Sequence, residues 1–283
     1  MTKLLITLLL LSFNVLASNS DTLDLSEKDR GYKYTLPKKV NTMSSFGKSS
    51  CGEIKSKTIN VLVWNMFKGD KPDWQRDFLV LSKNKDLVLM QEVYLDNKMK
   101  STFDKTDYQY VYAKSFIYNK TLISTGVATA SRCASIKNIS QRSIPLEPIV
   151  STPKMVVITK YKTSFNTDLL VLNIHGINFV NYIKLATQLK QAYSIARHHT
   201  GPIIFAGDFN TWSKMKLYVL KRFAKKLNLN EVKFENDGRM KTFGNPLDHV
   251  LYRGFKVISS KVHSNIEGSD HKALDIKLEF NSN

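Results

Sequence analysis

Polar side chains of the kinds that bind ions and move protons follow short apolar runs in this sequence. In residues 202–210 an apolar run leads into Gly207, and Asp208 and Asn210 come directly after it. On an extended backbone these two side chains project to the same side, so they offer two oxygen ligands at one point. The alternative is that one of them caps the helix predicted over residues 213–227.

The same arrangement recurs along the chain. Six segments place polar residues at or beside predicted strands: Asn65, Glu92, His175, Asp208 with Asn210, Asp248, and Asp270 with His271. Carboxylate and amide oxygens suit a divalent ion such as Mg²⁺ or Mn²⁺, which keeps several waters and binds substrate phosphate. Histidines beside such an ion suit proton transfer and charge stabilisation at a phosphate. Chance explains one such placement but not the set, so the pattern predicts a site for phosphate chemistry.

The elements that must position these residues are short strands and amphipathic helices. Three apolar runs are typical of buried strands that end in the polar residues: 58–65, 86–92 and 168–175. A helix predicted over residues 72–83 connects the first two, which makes them parallel neighbours with their ends at one edge of a sheet. A second amphipathic helix is predicted over residues 182–199.

The chain is strongly basic, with a formal net charge of +18 over 283 residues. This charge favours polyanionic partners such as nucleic acid or an anionic membrane, but it does not specify a chemistry. The helix predicted over residues 213–227 carries a group of basic side chains, interpreted as a solvated face with phosphate contact as the alternative: Lys214, Lys216, Lys221, Arg222, Lys225 and Lys226.

The N-terminal residues predict export. Residues 1–17 contain Lys3, a short apolar core and a final Ala17, as in a secretory signal peptide. The apolar stretch is too short to span a bilayer, and no later segment is long enough. We therefore expect a periplasmic or extracellular protein without a transmembrane segment, with a polar lead-in over residues 18–57 and one domain over residues 58–283.

Two cysteines, Cys51 and Cys133, fit one disulfide in an oxidising compartment. The alternative is a pair of unpaired buried thiols. No short cysteine spacing of the kind that binds zinc is present.

Six motifs, in this order, resemble the endonuclease/exonuclease/phosphatase superfamily: Trp64-Asn65, Gln91-Glu92, Asn173-Ile174-His175, Gly207-Asp208-Phe209-Asn210, Leu247-Asp248-His249-Val250 and Ser269-Asp270-His271. Each motif is weak alone, but the ordered set is specific. The amino-acid sequence of residues 246–254 further resembles an exported bacterial branch of that superfamily. The resemblance implies an α/β (α+β) fold, a four-layer sandwich of two mixed β-sheets with helices on the outer faces.

The resemblance also implies a metal site and substrate contacts. Glu92 would bind Mg²⁺ (or Mn²⁺), with Asn65 and Asp270 close enough to share in it. Lys68 and Asn178, each three residues after a motif residue, are candidates for substrate binding. The alternative for Lys68 is simple exposure to solvent.

The resemblance further implies catalytic roles. Asp208 would orient or deprotonate the attacking water, and Asn210 would hold that water or a phosphate oxygen. His271, oriented by Asp248, would face the scissile phosphate. His175 would bind the phosphate or assist the leaving oxygen, although the carboxylate that orients this histidine in many deoxyribonuclease-like members is not found in the sequence.

These expectations describe an exported, monomeric, metal-dependent phosphodiester hydrolase acting on nucleic acid, with DNA favoured by the net charge. One alternative is a lipid phosphodiesterase related to the sphingomyelinases, which would need an exposed apolar hairpin that no loop obviously supplies. Another is a non-catalytic protein of the same fold that binds polyanions.

Overall fold

The computed structural model describes residues 33–148 and 150–281, so the predicted signal peptide lies outside the described residues. The strands are β1 (Tyr34–Thr35), β2 (Met43–Gly47), β3 (Thr58–Asn65), β4 (Leu87–Tyr94), β5 (Gln109–Tyr118), β6 (Ser124–Ser131), β7 (Ser135–Arg142), β8 (Met155–Tyr161), β9 (Leu169–His175), β10 (Ile203–Asp208), β11 (Asn230–Glu231), β12 (Lys241–Thr242), β13 (Asn245–Pro246), β14 (Asp248–Arg253), β15 (Phe255–His263) and β16 (Ala273–Phe280). The α-helices are α1 (Trp74–Ser82), α2 (Asn97–Phe103), α3 (Tyr182–Ala196) and α4 (Lys214–Lys226). Among the described helices, none has both the length and the apolar character needed to cross a bilayer.

The strands form two mixed sheets and a small hairpin. The first sheet has the order β1-β5-β6-β4-β3-β16-β15, with β2 also paired to β5, and the second has the order β11-β14-β10-β9-β8-β7. Two pairs are parallel, β3 with β4 and β9 with β10. The parallel pairing of β3 and β4 was predicted from the intervening helix. It sets Asn65 opposite Gln91 and therefore next to Glu92.

Alternating side chains in the central strands separate the inner core from the outer layers. In β10, Ile204 and Ala206 pack between the two sheets, whereas Ile203 and Phe205 pack beneath α3 and α4. Successive side chains of a strand point to opposite faces, and burial on both faces explains the continuous apolar run. Helices α1 and α2 cover the outer face of the first sheet in the same way. The result is the four-layer sandwich that the resemblance implies.

Gly207 allows β10 to approach β9 closely at the end that carries the polar residues. Its φ of 137° lies in the region that favours glycine. An added Cβ would lie 2.1 Å from the carbonyl oxygen of Ile174. No side chain fits there, so glycine is required for β10 to place Asp208 beside His175.

The first sheet includes two strands that precede residue 58, the predicted start of the domain. Strand β2 pairs antiparallel with β5 along its whole length, and β1 pairs with the other end of β5. The sequence shows no sustained periodicity in this region because β2 is short and only partly buried. Residues 34–57 are therefore part of the first sheet and its connections.

A disulfide joins Cys51 and Cys133, which are 82 residues apart. We expect the Cys51→Ser/Cys133→Ser double variant to lose about 4 kcal/mol of stability, since the cross-link restricts the unfolded chain. For a domain of this size that loss lowers the midpoint of thermal unfolding by about 10 °C. Calorimetry of the oxidised protein and of the double variant measures the difference. Equal midpoints would show that the cross-link contributes nothing to stability.

Candidate active site

The ends of the central strands converge at one end of the sandwich. The register of the second sheet sets Asp208 opposite His175 on one side and opposite Asp248 on the other. The first sheet delivers Asn65, whose Nδ2 donates to Asp208 Oδ2 at 3.2 Å across the gap between the sheets. Residues that are distant in the sequence therefore meet, as the ordered motifs predict.

Asp208 lies at the centre of this group and is 1% exposed. Its Oδ1 accepts the backbone N–H of Asn210 at 2.8 Å, and its Oδ2 accepts Nδ2 of Asn210 at 3.1 Å. The backbone of Asn210 is left-handed, with a φ of 51°, a conformation that asparagine tolerates better than most residues. Burial raises the pKa of Asp208, with His271 opposing the shift and Asp248 adding to it. A carboxylate with a raised pKa is suited to accept a proton near neutral pH.

His271 and Asp248 form a buried pair. His271 Nδ1 lies 2.7 Å from Asp248 Oδ2, and the ring nitrogen must donate because a carboxylate only accepts. Burial alone lowers the pKa of His271, but the charge and hydrogen bond of Asp248, together with the charges of Asp208 and Asp270, outweigh burial and raise this pKa to about 10. The ring is therefore an imidazolium at neutral pH, and its Nε2 lies 4.0 Å from Asp208 Oδ2.

Glu92 remains ionised and partly open to solvent. It interrupts the regular register of β4 with a φ of 53°, and its side chain is 20% exposed. Lys68 Nζ lies 3.4 Å from Glu92 Oε2. Burial raises the pKa of Glu92, but the positive charges beside it, Lys68 first and Lys154 further away, outweigh burial and hold this pKa well below its usual range. Lys68 therefore belongs to the site through an ion pair and is not simply exposed.

His175 is enclosed by two carboxylates that were not recognised as its partners from the sequence. Its Nε2 lies 3.5 Å from Asp208 Oδ2 and 3.6 Å from Glu92 Oε1. Burial, followed by the positive charge of Lys154, lowers the pKa of His175 well below its ordinary value. The imidazole is neutral, so it can donate a hydrogen bond but cannot act as an imidazolium acid.

The donor set suits a hard divalent ion that also binds substrate. Asn65 Oδ1 accepts the N–H of Phe67 at 3.0 Å and retains a second lone pair. Asp270 is exposed at the mouth of the site. Within residues 33–148 and 150–281, no three His, Cys, Asp or Glu side chains are arranged to hold a metal ion by themselves.

Lys154 and Glu147 border the site but were not predicted. Lys154 Nζ lies 3.4 Å from Glu147 Oε2, and both side chains are largely buried. Glu147 Oε1 accepts the N–H of Asn178 at 3.0 Å. Because β8 runs antiparallel to β9, the residue before β8 lies at the edge where His175 ends β9. If the pairing of β8 with β9 had been predicted from the sequence, Lys154 would have been placed beside the site.

Asn178, predicted to bind substrate, has protein partners in the structure. Besides its N–H bond to Glu147, its Oδ1 accepts Nε1 of Trp212 at 3.1 Å and the N–H of Phe179 at 2.8 Å. Asn178 therefore links three loops around the site. Its contact with substrate stays a prediction.

Lys216 corrects the prediction that all basic residues of α4 lie on a solvated face. It is fully buried, and its Nζ donates to the carbonyl oxygens of Asn210 at 3.1 Å and Ile177 at 3.3 Å. Burial lowers the pKa of Lys216 to about 8. Neither Asp208 nor Asn210 caps α4, since the side chain of Ser213 accepts the first-turn N–H instead. Lys216 thus ties the loop after His175 to the loop after Asp208.

We expect Lys216→Met to lower kcat by about tenfold with little change in KM, because Asn210 loses support without losing a substrate contact. Lys216→Arg should recover part of the loss by keeping a donor at this position. Lys221→Met, an exposed position on the same helix, is the matched control. Steady-state kinetics with thermal melts of each variant make the test, and wild-type kcat in a folded Lys216→Met protein would contradict it.

Comparison with known proteins agrees with this geometry. The Endonuclease/Exonuclease/phosphatase family matches residues 62–271. The chain belongs to this family. Members of the endonuclease/exonuclease/phosphatase superfamily hydrolyse phosphoester bonds and commonly use a divalent metal, so the family resemblance read from the six motifs is confirmed.

Relatives and solved structures of this family extend the comparison. The chain is 35% identical over 229 residues to a UPF0294 protein of Vibrio campbellii, covering 80% of this chain and 79% of that protein. An endonuclease/exonuclease/phosphatase from Beutenbergia cavernae superposes with a TM-score of 0.64 at 16% identity, covering 80% of this chain and 72% of the other. The human Nocturnin catalytic domain with bound sulfate gives a TM-score of 0.57 at 18% identity, covering 84% and 98%. These two structures support the fold.

Proposed function

We propose that the protein hydrolyses phosphodiester bonds with the help of Mg²⁺ or Mn²⁺, and that DNA is its first candidate substrate. The observation that carries this proposal is the convergence of Glu92, Asp208 and His271 at one end of the sandwich, with pKa shifts that favour an ionised Glu92 and a protonated His271. These residues supply three roles used in metal-assisted hydrolysis of a phosphodiester: a ligand for a cation, a proton acceptor and a positively charged hydrogen-bond donor.

The residues divide the reaction among them. Asp208, held by Asn65 and Asn210, accepts a proton from the attacking water. The imidazolium of His271 donates from Nε2 to a phosphate oxygen and stabilises the charge that develops there. Neutral His175 donates a hydrogen bond to a phosphate oxygen or to the leaving oxygen.

Glu92 is the main ligand for the ion, with Asn65 and Asp270 as the other candidates. When bound, a divalent ion polarises the phosphate and stabilises its developing charge. Lys68 Nζ lies 3.4 Å from Glu92 Oε2, which supplies a second positive charge beside the proposed ion.

The net charge of +18 supports a polyanionic substrate, because neutralising phosphates and releasing counterions supplies much of the affinity for nucleic acid. The signal-like residues 1–17 support export to the periplasm or beyond, and we propose that the exported chain acts as a monomer.

A phospholipid is the second candidate substrate. The exposed apolar hairpin that a lipid phosphodiesterase needs was not recognised in the sequence. In the structure, Phe243 is 79% exposed at the tip of the β12–β13 hairpin, and Asn245 Nδ2 of the same hairpin donates to the carbonyl oxygen of Trp212 at 3.1 Å. Trp212 lies two residues after Asn210, so this hairpin borders the mouth of the site.

A panel of substrates tests both candidates. Purified protein is incubated with supercoiled plasmid, RNA and sphingomyelin vesicles, each with Mg²⁺, with Mn²⁺ and with a chelator. Metal-dependent nicking of the plasmid supports the first candidate, and turnover of lipid alone supports the second. Binding of DNA without turnover of any substrate would reject hydrolysis and leave a polyanion-binding protein of this fold.

A further inference from the structure

Loops around the site expose a series of apolar side chains that we call the apolar rim. Its members are Leu146, Phe179, Trp212, Met215 and Phe243. Phe243 is 79% exposed, Phe179 50%, Met215 46% and Leu146 39%, and Trp212 is partly exposed. Apolar side chains scattered singly on a surface are ordinary, but a group beside a functional site marks an interaction surface.

Direct contacts join the loops of the rim. Glu147, next to Leu146, binds the N–H of Asn178, next to Phe179. Asn178 in turn accepts Nε1 of Trp212 at 3.1 Å. The ring of Trp212 lies 6.4 Å from the ring of Phe243, centre to centre. The exposed side chains therefore belong to one continuous surface rather than to separate loops.

The tip of the rim is held in place at a cost to the fold. Phe243 and Gly244 form the turn of the β12–β13 hairpin with φ values of 50° and 75°. A left-handed conformation is unfavourable for a residue as large as phenylalanine, and most of the ring is left in water. Asn245 Nδ2 stabilises the turn by donating to the carbonyl oxygen of Phe243 at 3.0 Å. Folding alone gives no reason for a phenylalanine at this position, whereas a partner that covers the ring does.

The rim is also cationic. The four segments that form it, described over residues 143–148 with 150–154, 176–184, 210–218 and 240–246, contain five basic residues: Lys154, Lys184, Lys214, Lys216 and Lys241. They contain a single acidic residue, Glu147, which is buried and paired with Lys154. Lys184, Lys214 and Lys241 are exposed. Lys241 Nζ also lies 4.0 Å from Asp237 Oδ2, just before the last segment, so Lys184 and Lys214 supply most of the positive charge that an anionic partner meets.

An anionic lipid bilayer fits this combination better than nucleic acid does. Bases stack on aromatic rings, but Leu146 and Met215 offer no ring, and both gain by entering the boundary between head groups and acyl chains. Aromatic side chains such as Trp212 and Phe243 favour that boundary, and neighbouring lysines are attracted to anionic head groups.

We propose that the apolar rim binds the surface of an anionic lipid bilayer and brings the mouth of the site against the head groups. In this orientation phospholipid phosphodiesters lie next to Glu92 and His271. Binding depends on the rim and not on catalysis, so the proposal goes beyond the proposed hydrolysis.

The fluorescence of Trp212 allows a direct measurement of membrane binding. Of the three tryptophans in the chain, Trp64 and Trp74 are 1% exposed, so Trp212 is the one that can reach an added membrane. The full chain carrying Glu92→Gln, which prevents turnover, is mixed with vesicles whose acyl chains are brominated. We expect vesicles of phosphatidylcholine with phosphatidylglycerol to quench Trp212 and vesicles of phosphatidylcholine alone to quench it much less.

Variants in the same background identify the surface. Phe243→Ser should weaken vesicle binding about tenfold by removing a buried aromatic ring. Lys214→Gln should weaken binding to the anionic vesicles about fivefold by removing one charge near the surface. Val80→Ser changes a side chain that is 67% exposed on α1, outside the rim, and should leave binding unchanged.

Three results would overturn the proposal: no binding to anionic vesicles, binding without quenching of Trp212, or quenching by a single-stranded oligonucleotide but not by vesicles. The last result would assign the rim to nucleic acid. If vesicles quench Trp212 and the unaltered enzyme hydrolyses no lipid, the rim proposal holds and the second candidate substrate fails.

Discussion

Replacing Glu92 with Gln should reduce phosphodiester hydrolysis by about 10³-fold, because several kcal/mol of charge stabilisation by a bound ion depend on this carboxylate. Glu92 is ionised, reachable from solvent and paired with Lys68. The amide keeps the shape of the side chain and removes only its charge. Initial rates on the substrate identified by the panel, measured over a range of Mg²⁺ concentrations, give the size of the loss.

The matched control for Glu92→Gln is Glu235→Gln, the same change at an exposed position, which should retain full activity. Thermal melts establish that both variants fold. The variant should also lose the stabilisation that Mg²⁺ gives the intact protein, a readout that does not depend on turnover. A folded Glu92→Gln protein with unchanged metal-dependent hydrolysis would remove Glu92 from the site.

Asp248→Asn should lower activity at pH 8 by about 10²-fold and shift the alkaline limb of the pH profile toward acid. In the intact protein Asp248 is the main group that keeps His271 protonated, because its charge and hydrogen bond are the largest of the effects that oppose burial and raise the pKa of His271 to about 10. Without that charge only Asp208 and Asp270 oppose burial, so the pKa of His271 falls and a larger fraction of the ring is neutral at pH 8. The imidazolium, and with it the activity, should return as the pH falls.

A profile of kcat/KM against pH measures this shift. Asp107→Asn, at an exposed position, should leave the profile unchanged and serves as the control. If Asp248→Asn lowered the rate equally at every pH, the role of Asp248 would be to position the ring and not to hold its proton.

The sequence predicted the elements that bury apolar side chains on both faces. The run before Asp208 predicted a covered strand, and the structure has β10 there, with α4 following closely where a helix was expected. Strand β2 left no such signal, because it gains its partner from β5, more than 60 residues away in the chain, and has few buried positions of its own. Pairing partners of that kind depend on the whole fold and not on local pattern.

The residues of the site also fall into two groups: those that a local sequence pattern predicts and those that only the tertiary structure reveals. Asp208, Asp248 and His271 follow recognisable strand ends, and the structure brings them together. Lys216 was misassigned because a lysine on an otherwise basic helix is expected in solvent. Its burial follows from two carbonyl acceptors that only tertiary contacts place above it.

The bond between Asn65 and Asp208 and the bond between His271 and Asp248 each join one β-sheet to the other. Neither sheet alone carries all the catalytic side chains, so turnover depends on how accurately the two sheets are aligned. A substitution deep between the sheets, far from any ligand, can therefore slow the chemistry before it measurably unfolds the protein. A lower rate of hydrolysis would be the earliest sign that the two sheets have shifted relative to each other.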